Sequence, residues 1–180
     1  MSLVILAFLM TMLGIPLTVF LPVIAQKVFA LGANAYSTML VVSGIGAVVG
    51  GFFIAATSHA SRKGLIALLS ILGLGLFTLG FSLSVNFYLS CLMLFLASLS
   101  LIACFGMVSS LVQTLAEDSM RGRVMSVYNV AFRGGMPFGS LAAGRLSESW
   151  GAPTVLAANG ILLMLLSAYF LFAQRRVRNL

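Results

Sequence analysis

The chain has 180 residues, 61% of them hydrophobic and only 7% charged, with a mean hydropathy of +1.16. A soluble domain carries roughly 25% charged and about 45–50% apolar residues, so water is excluded as the solvent for most of this exterior. The net charge of +7 would suggest nucleic acid in a soluble protein. Here Lys and Arg fall mostly in short breaks between apolar runs, with no basic stripe interleaved with aromatics, which argues against a nucleic-acid partner and for the lipid bilayer.

A spanning helix needs about 20 apolar residues, so the length allows about six spans with short links and no separate soluble domain. The first predicted span covers residues 2–25 and is interrupted by Gly14, Pro16 and Pro22. No Lys or Arg precedes it, and it exceeds the roughly 7–15-residue apolar core of a signal peptide, so it reads as a span and not as a cleaved leader. The remaining spans are predicted at 36–58, 65–83, 87–115, 124–147 and 153–173, within one bundle over 1–180. Such tight links make sequential helices antiparallel neighbours, each satisfying its own backbone in lipid. Cys91 and Cys104 lie in the fourth span, about 20 Å apart along one helix, too far to form a disulfide.

Basic residues orient the chain. Arg62 and Lys63, Arg121 and Arg123, and Arg175, Arg176 and Arg178 all fall on one side if six spans alternate. The other side holds Lys27, a connection at 84–86 with no basic residue, and Glu148. Both termini are therefore expected in the cytoplasm, in a multi-pass protein of the cell inner or plasma membrane.

Gly46 and Gly50 in the second span form a small-xxx-small pair, as do Gly135 and Gly139 in the fifth; such pairs let helices approach closely in lipid. An offset of 89 residues maps Gly46, Gly50 and Ala55 onto Gly135, Gly139 and Gly144. The offset is about half the chain, so spans one to three read as a repeat of spans four to six. Three being odd, the two triplets have opposite topology, an inverted repeat of the kind found in secondary transporters. The expected fold class is all-α: six transmembrane helices as a 3+3 inverted repeat.

The stretch from Gln113 through Glu117, Asp118, Arg121, Gly122, Arg123, Tyr128 and Asn129, continuing through Arg133, Gly134, Gly135, Pro137, Gly139, Ser140 and Gly144, resembles the tenth-to-eleventh helix region of major facilitator superfamily transporters. Pro16–Ala25 followed by the Gly44–Gly51 cluster resembles helices seven and eight. The likeness covers essentially the whole chain and is nearest to the bacterial drug- and siderophore-exporter branch, similar to enterobactin exporters. It implies the C-terminal half of a facilitator fold, with the N-terminal six helices absent. The loop Ser58–Gly64 lacks the Asp that usually precedes the basic pair of the superfamily's loop motif, which puts a charge-relay role there, Arg62 included, in doubt. Asp118 with Arg121 and Arg123 is the better candidate for a cytoplasmic gate of ion pairs.

In the fifth span Ser126, Asn129, Arg133, Pro137, Ser140, Gly144 and Ser147 recur at spacings of three and four, on one helical face. Arg133 lies about 15 Å along the helix from Arg123, near the bilayer midplane, where a charge costs at least about 2.5 kcal/mol. Either it lines a hydrated pathway and attracts an anionic group, or it is a structural arginine that snorkels toward the cytoplasm or bonds to carbonyls beside Pro137. Thr18, on a weaker face of the first span, and Ser109 with Gln113 in the fourth resemble pathway-lining positions; Ser and Thr bonding to their own helix is the alternative.

No enzyme chemistry is legible. His59 is the only histidine; there is no ligand set for a metal, no nucleophile with a base, and no phosphate-binding loop. No catalytic residue, metal or cofactor is expected. The expected function is the C-terminal half of a secondary-active exporter of small amphipathic molecules, drug- or siderophore-like, working by alternating access with the missing half or a second copy. Its rival is a non-transporting membrane subunit or an inactive truncated fragment. Single cysteines at Ser61 and Ser149 test the topology: they should react with an impermeant reagent from opposite sides, and labelling from the same side overturns it.

Overall fold

A computed structural model describes residues 2–29, 32–57 and 63–173. Arg62, His59 and the arginines of the tail lie outside the described residues. The described chain is helical apart from turns and short links: α1 (Ser2–Gly14), α2 (Pro16–Val19), α3 (Leu21–Lys27), α4 (Gly32–Thr57), α5 (Lys63–Leu83), α6 (Phe87–Leu115), α7 (Arg121–Trp150) and α8 (Ala152–Ala173). Since α1–α3 form one broken span, these are six membrane-length segments in an all-α bundle.

Five of the segments are long and apolar enough to cross a bilayer: 3–27, 33–57, 63–83, 87–115 and 152–172. The sixth, α7, has 30 residues, about 45 Å, and extends three residues beyond each end of the predicted 124–147. It is less apolar than the others because it carries Arg121, Arg123, Asn129, Arg133, Arg145 and Glu148.

The breaks in the first span follow from proline chemistry. Pro16 and Pro22 lack the N–H that a helix interior requires and tolerate only the first positions of a new helix; each stands at such a start, after turns at Ile15 and Phe20. By contrast α6 runs unbroken for 29 residues. Asn86 caps it, its side-chain oxygen accepting from the backbone N–H of Tyr88 (3.0 Å) and Leu89 (3.4 Å). At the junction of α7 and α8 the chain turns through Gly151, whose φ of +80° suits a residue without Cβ. Exposed Trp150 and Tyr88 both stand at this end of the bundle, and aromatic rings favour the headgroup level.

The helices are held by close backbone contacts at glycines, and these reveal the repeat. A Cβ on Gly135 would meet the Phe8 carbonyl oxygen at 2.6 Å and the Thr11 Cβ at 3.1 Å; one on Gly139 would strike the Met12 carbonyl. On the other side, a Cβ on Gly46 would strike the Phe95 carbonyl and approach the Ser98 Cβ, and one on Gly50 would lie 2.7 Å from the Leu99 carbonyl oxygen. The offset of 89 residues that carries Gly46 to Gly135 and Gly50 to Gly139 is matched by an offset of 87 that carries Phe8 to Phe95, Thr11 to Ser98 and Met12 to Leu99. The α1–α7 and α4–α6 interfaces are therefore two copies of one contact. Ser43 and Ser98 add a hydroxyl–hydroxyl bond of 2.8 Å to the second copy.

Between the two copies, α5 crosses α8. A Cβ on Gly75 would lie 2.6 Å from the Gly160 carbonyl, and one on Gly160 would lie 2.7 Å from the Gly75 carbonyl. Gly75 also approaches Met164 as Gly160 approaches Leu79. A reciprocal contact of this kind maps onto itself, so the two-fold relation of the repeats passes through the Gly75–Gly160 crossing. The Ser167 hydroxyl clamps the same pair by donating to the Leu68 carbonyl at 2.6 Å.

Gly44, Gly51, Gly134 and Gly144 have open space where a Cβ would go. Leucine at Gly139 or Gly46 should therefore destabilise the bundle by about 1–3 kcal/mol or more through overpacking against backbone, whereas Gly44→Leu and Gly51→Leu should leave it unharmed. Thermal denaturation of the four variants in detergent checks this, and equal losses at all four positions would sink the assignment.

Candidate functional site

The helix α7 presents three faces. Tyr128, Gly135, Gly139 and Ala143 are buried against the bundle, with half-buried Phe132 on the same side. Val130, Phe138 and Leu141 are well exposed and make an apolar face suited to lipid or to another helix. Between these two faces run Ser126, Asn129, Arg133, Pro137 and Ser140, of which only Ser140 is half-buried. This polar face has no partner element within the described chain.

Arg133 is its centre. The guanidinium is exposed, and the one ion pair among the described residues is elsewhere. Four residues on, Pro137 sits inside the helix and has no N–H to give to the Arg133 carbonyl. One residue thus brings both a cation and an under-bonded carbonyl to the same point, about 18 Å along the helix from Arg121. Hydrocarbon cannot satisfy either group; water or a polar partner can.

The other predicted pathway residues stand at different depths. Gln113, exposed at the end of α6, donates from Nε2 to the Ser109 hydroxyl at 3.2 Å. Ser109 in turn lies beside the Tyr128 hydroxyl of α7. Thr18 donates its hydroxyl to the Ile15 carbonyl at 2.9 Å, and Thr11 bonds likewise to Ala7 at 2.6 Å. The register that sets Met12 against Gly139 puts Thr18 level with residue 145, about 18 Å from Arg133 along the axis. Asn129, Arg133 and Ser140 share one face; Gln113 and Thr18 lie toward opposite ends of the bundle.

At the loop before α7, the Arg121 Nη2 and the Asp118 Oδ1 are 2.7 Å apart, both largely exposed. Arg123 does not join this pair; it lines a cleft toward α1. Lys63, at the start of α5, reaches the Ser110 hydroxyl of α6 at 3.4 Å.

Two features escaped sequence reasoning. Tyr128 is buried, stacked with Phe132 at 5.9 Å, and Phe132 meets Phe105 of α6 edge-on at 4.7 Å, forming an aromatic seam between α6 and α7. The spacing of positions 128, 132, 135, 139 and 143 is the signal that marks that face. Thr78 and Asn159 are buried with a side-chain atom lacking a hydrogen-bond partner, on α5 and α8; single polar residues inside apolar runs carry no readable signal.

The whole chain, residues 1–180, matches the sequence profile of the family described as transmembrane secretion effector. No curated protein matches it.

If the polar face opens to water, Arg133→Cys in a chain lacking Cys91 and Cys104 should react with an impermeant maleimide at rates typical of exposed thiols. Val130→Cys, on the apolar face, should react at least about tenfold more slowly because a thiolate is disfavoured in lipid. Equal rates at the two positions would remove the distinction between the faces.

Proposed function

Since the chain belongs to the transmembrane secretion effector family of the major facilitator superfamily, and is thus a multi-pass membrane transport protein, we propose that it is the C-terminal six-helix half of a secondary-active exporter of small amphipathic molecules. On this reading it resembles the drug- and siderophore-exporting, enterobactin-type branch and sits in a cell inner membrane with both termini in the cytoplasm. The observation that carries the proposal is Arg133: a charge with no ion-pair partner among the described residues, halfway along a membrane-length helix, on a continuous polar face. Such a residue in lipid costs several kcal/mol unless it faces an aqueous cavity, and an aqueous cavity at the midplane is what a transport pathway requires. Asn129 and Ser140 extend the lining one to two turns to either side, and the guanidinium selects for an anionic group on the substrate.

The exposed faces of α4 and α7 support a requirement for a second six-helix unit, either an N-terminal half or another copy. Only 17% of the spanning window of α4 is buried, against 39–50% for the other four apolar spans. Rocking of the two units about the polar face of α7 is the alternating-access step. The Asp118–Arg121 pair stands where a cytoplasmic gate would close it.

The test is flux through the two-half assembly in proteoliposomes, paired with melting temperature. Arg133→Leu should lower flux about tenfold or more, the loss of a charge-assisted contact worth about 1.5–3 kcal/mol, with the melting temperature unchanged or raised. Arg133→Lys should retain part of the flux, since a point charge survives. Normal flux with Leu at this position refutes the proposal.

A further inference from the structure

Where the first turns of α1 and α7 diverge, a cleft of about 370 Å³ opens, lined by Val4, Ile5, Met120, Arg123, Val124 and Val127. Its only charged wall is Arg123. The neighbouring carboxylate, Asp118, is held by Arg121, and Arg123 has no ion-pair partner among the described residues. The cleft is separate from the polar face of α7, because Val124 and Val127 lie on the other side of the helix from Asn129 and Arg133.

Depth decides what fits. The 30 residues of α7 span about 45 Å, roughly 15 Å more than the hydrocarbon core. With Glu148 and Trp150 at the far end, that surplus places Arg121 and Arg123 among the headgroups. Val127, four residues on, lies about 6 Å deeper. The cleft is thus an apolar slot in the hydrocarbon with, among the described residues, one unpaired cation at its headgroup rim.

We propose that this cleft holds an anionic phospholipid, its phosphate on Arg123 and the first part of an acyl chain against Val4, Ile5, Val124 and Val127. The charges complement each other: the free guanidinium gains from a net negative headgroup, about 1 kcal/mol for each basic side chain near an anionic lipid, and gains less from a zwitterionic one. The lipid chain fills the gap between α1 and α7 that their side chains leave below the glycine contacts at Phe8 and Met12.

Native mass spectrometry of the full chain, titrated in detergent with phosphatidylglycerol or phosphatidylcholine of the same acyl chains, tests this. Phosphatidylglycerol should bind more tightly by about fivefold, the equivalent of that 1 kcal/mol. Arg123→Gln should erase the preference. Arg145→Gln, the same charge change at the opposite end of α7, should leave it intact. Val127→Trp, which fills the slot, should abolish tight binding of both lipids; this second variant decides the matter if Arg123→Gln fails to fold. Equal binding of the two lipids by the unaltered chain, equal effects of the two arginine variants, or an undiminished preference with Trp at position 127 each overturns the proposal. None of these outcomes depends on transport.

Discussion

The approach of backbone to backbone at glycine is the constraint on which the rest of this bundle depends. In lipid there is no hydrophobic force between helices, so association rests on van der Waals contact and on polar groups meeting at short range. Gly135 and Gly139 bring α7 against the carbonyls of Phe8 and Met12, and Gly46 and Gly50 do the same for α4 against Phe95 and Leu99. Proline sharpens one of these contacts. Pro16 has no N–H for the Met12 carbonyl, and it is this carbonyl that Gly139 covers, offering weak Cα–H donors to an acceptor that the helix leaves open. The two interfaces bind the six segments into a symmetric pair of layers with α5 and α8 crossed at the centre.

Anchoring α7 by such a narrow strip has a consequence for its other faces. A helix fixed through small residues turns only a minor part of its circumference inward, so most side chains of α7 point away from the bundle. The outward part is divided into an apolar sector, compatible with acyl chains, and a polar sector, which is not. The polar sector is thus the part of α7 that calls for water or a polar partner. Arg133 stands at its middle with an under-bonded carbonyl supplied by Pro137, and the serines and asparagine around it lower the cost of bringing water to that depth.

Much of this was legible in the chain. The limits of α6 follow from an apolar run that opens at a capping asparagine, and the broken first span from Pro16 and Pro22. The offset relating Gly46 to Gly135 exposes the repeat. What the glycines do not say is which helix covers them: a small-xxx-small pair marks a face that can be approached, and the partner is set by topology, through carbonyls that any residue possesses. Phe8 and Phe95, Thr11 and Ser98, Met12 and Leu99 occupy equivalent places and keep their chemical type, yet nothing in the sequence pairs them with the glycines they meet. The polar face of α7 was readable because it repeats every three to four residues. The seam of Tyr128, Phe132 and Phe105 was hidden because aromatic residues in an apolar run look alike whether they meet lipid or each other. Arg121 and Arg123 looked like one cluster, although two residues' separation on a helix turns them some 200° apart, one to Asp118 and the other to the cleft.

The repeats match in packing but differ in stiffness. The segment α6 is a single continuous rod, whereas its counterpart is jointed at Ile15 and Phe20. Across the first joint the Ile15 N–H donates to the Thr11 carbonyl, and the Thr18 and Val19 N–H groups return to the Ile15 carbonyl; both joints lie beyond Phe8 and Met12, where Gly135 and Gly139 press. Pro16 and Pro22 each remove one backbone N–H from this stretch, so α2 and α3, which carry the link to α4, are held by fewer helix bonds than the part of α1 beneath Gly135 and Gly139. The first span is a straight post with a jointed extension, and the fourth an unbroken beam.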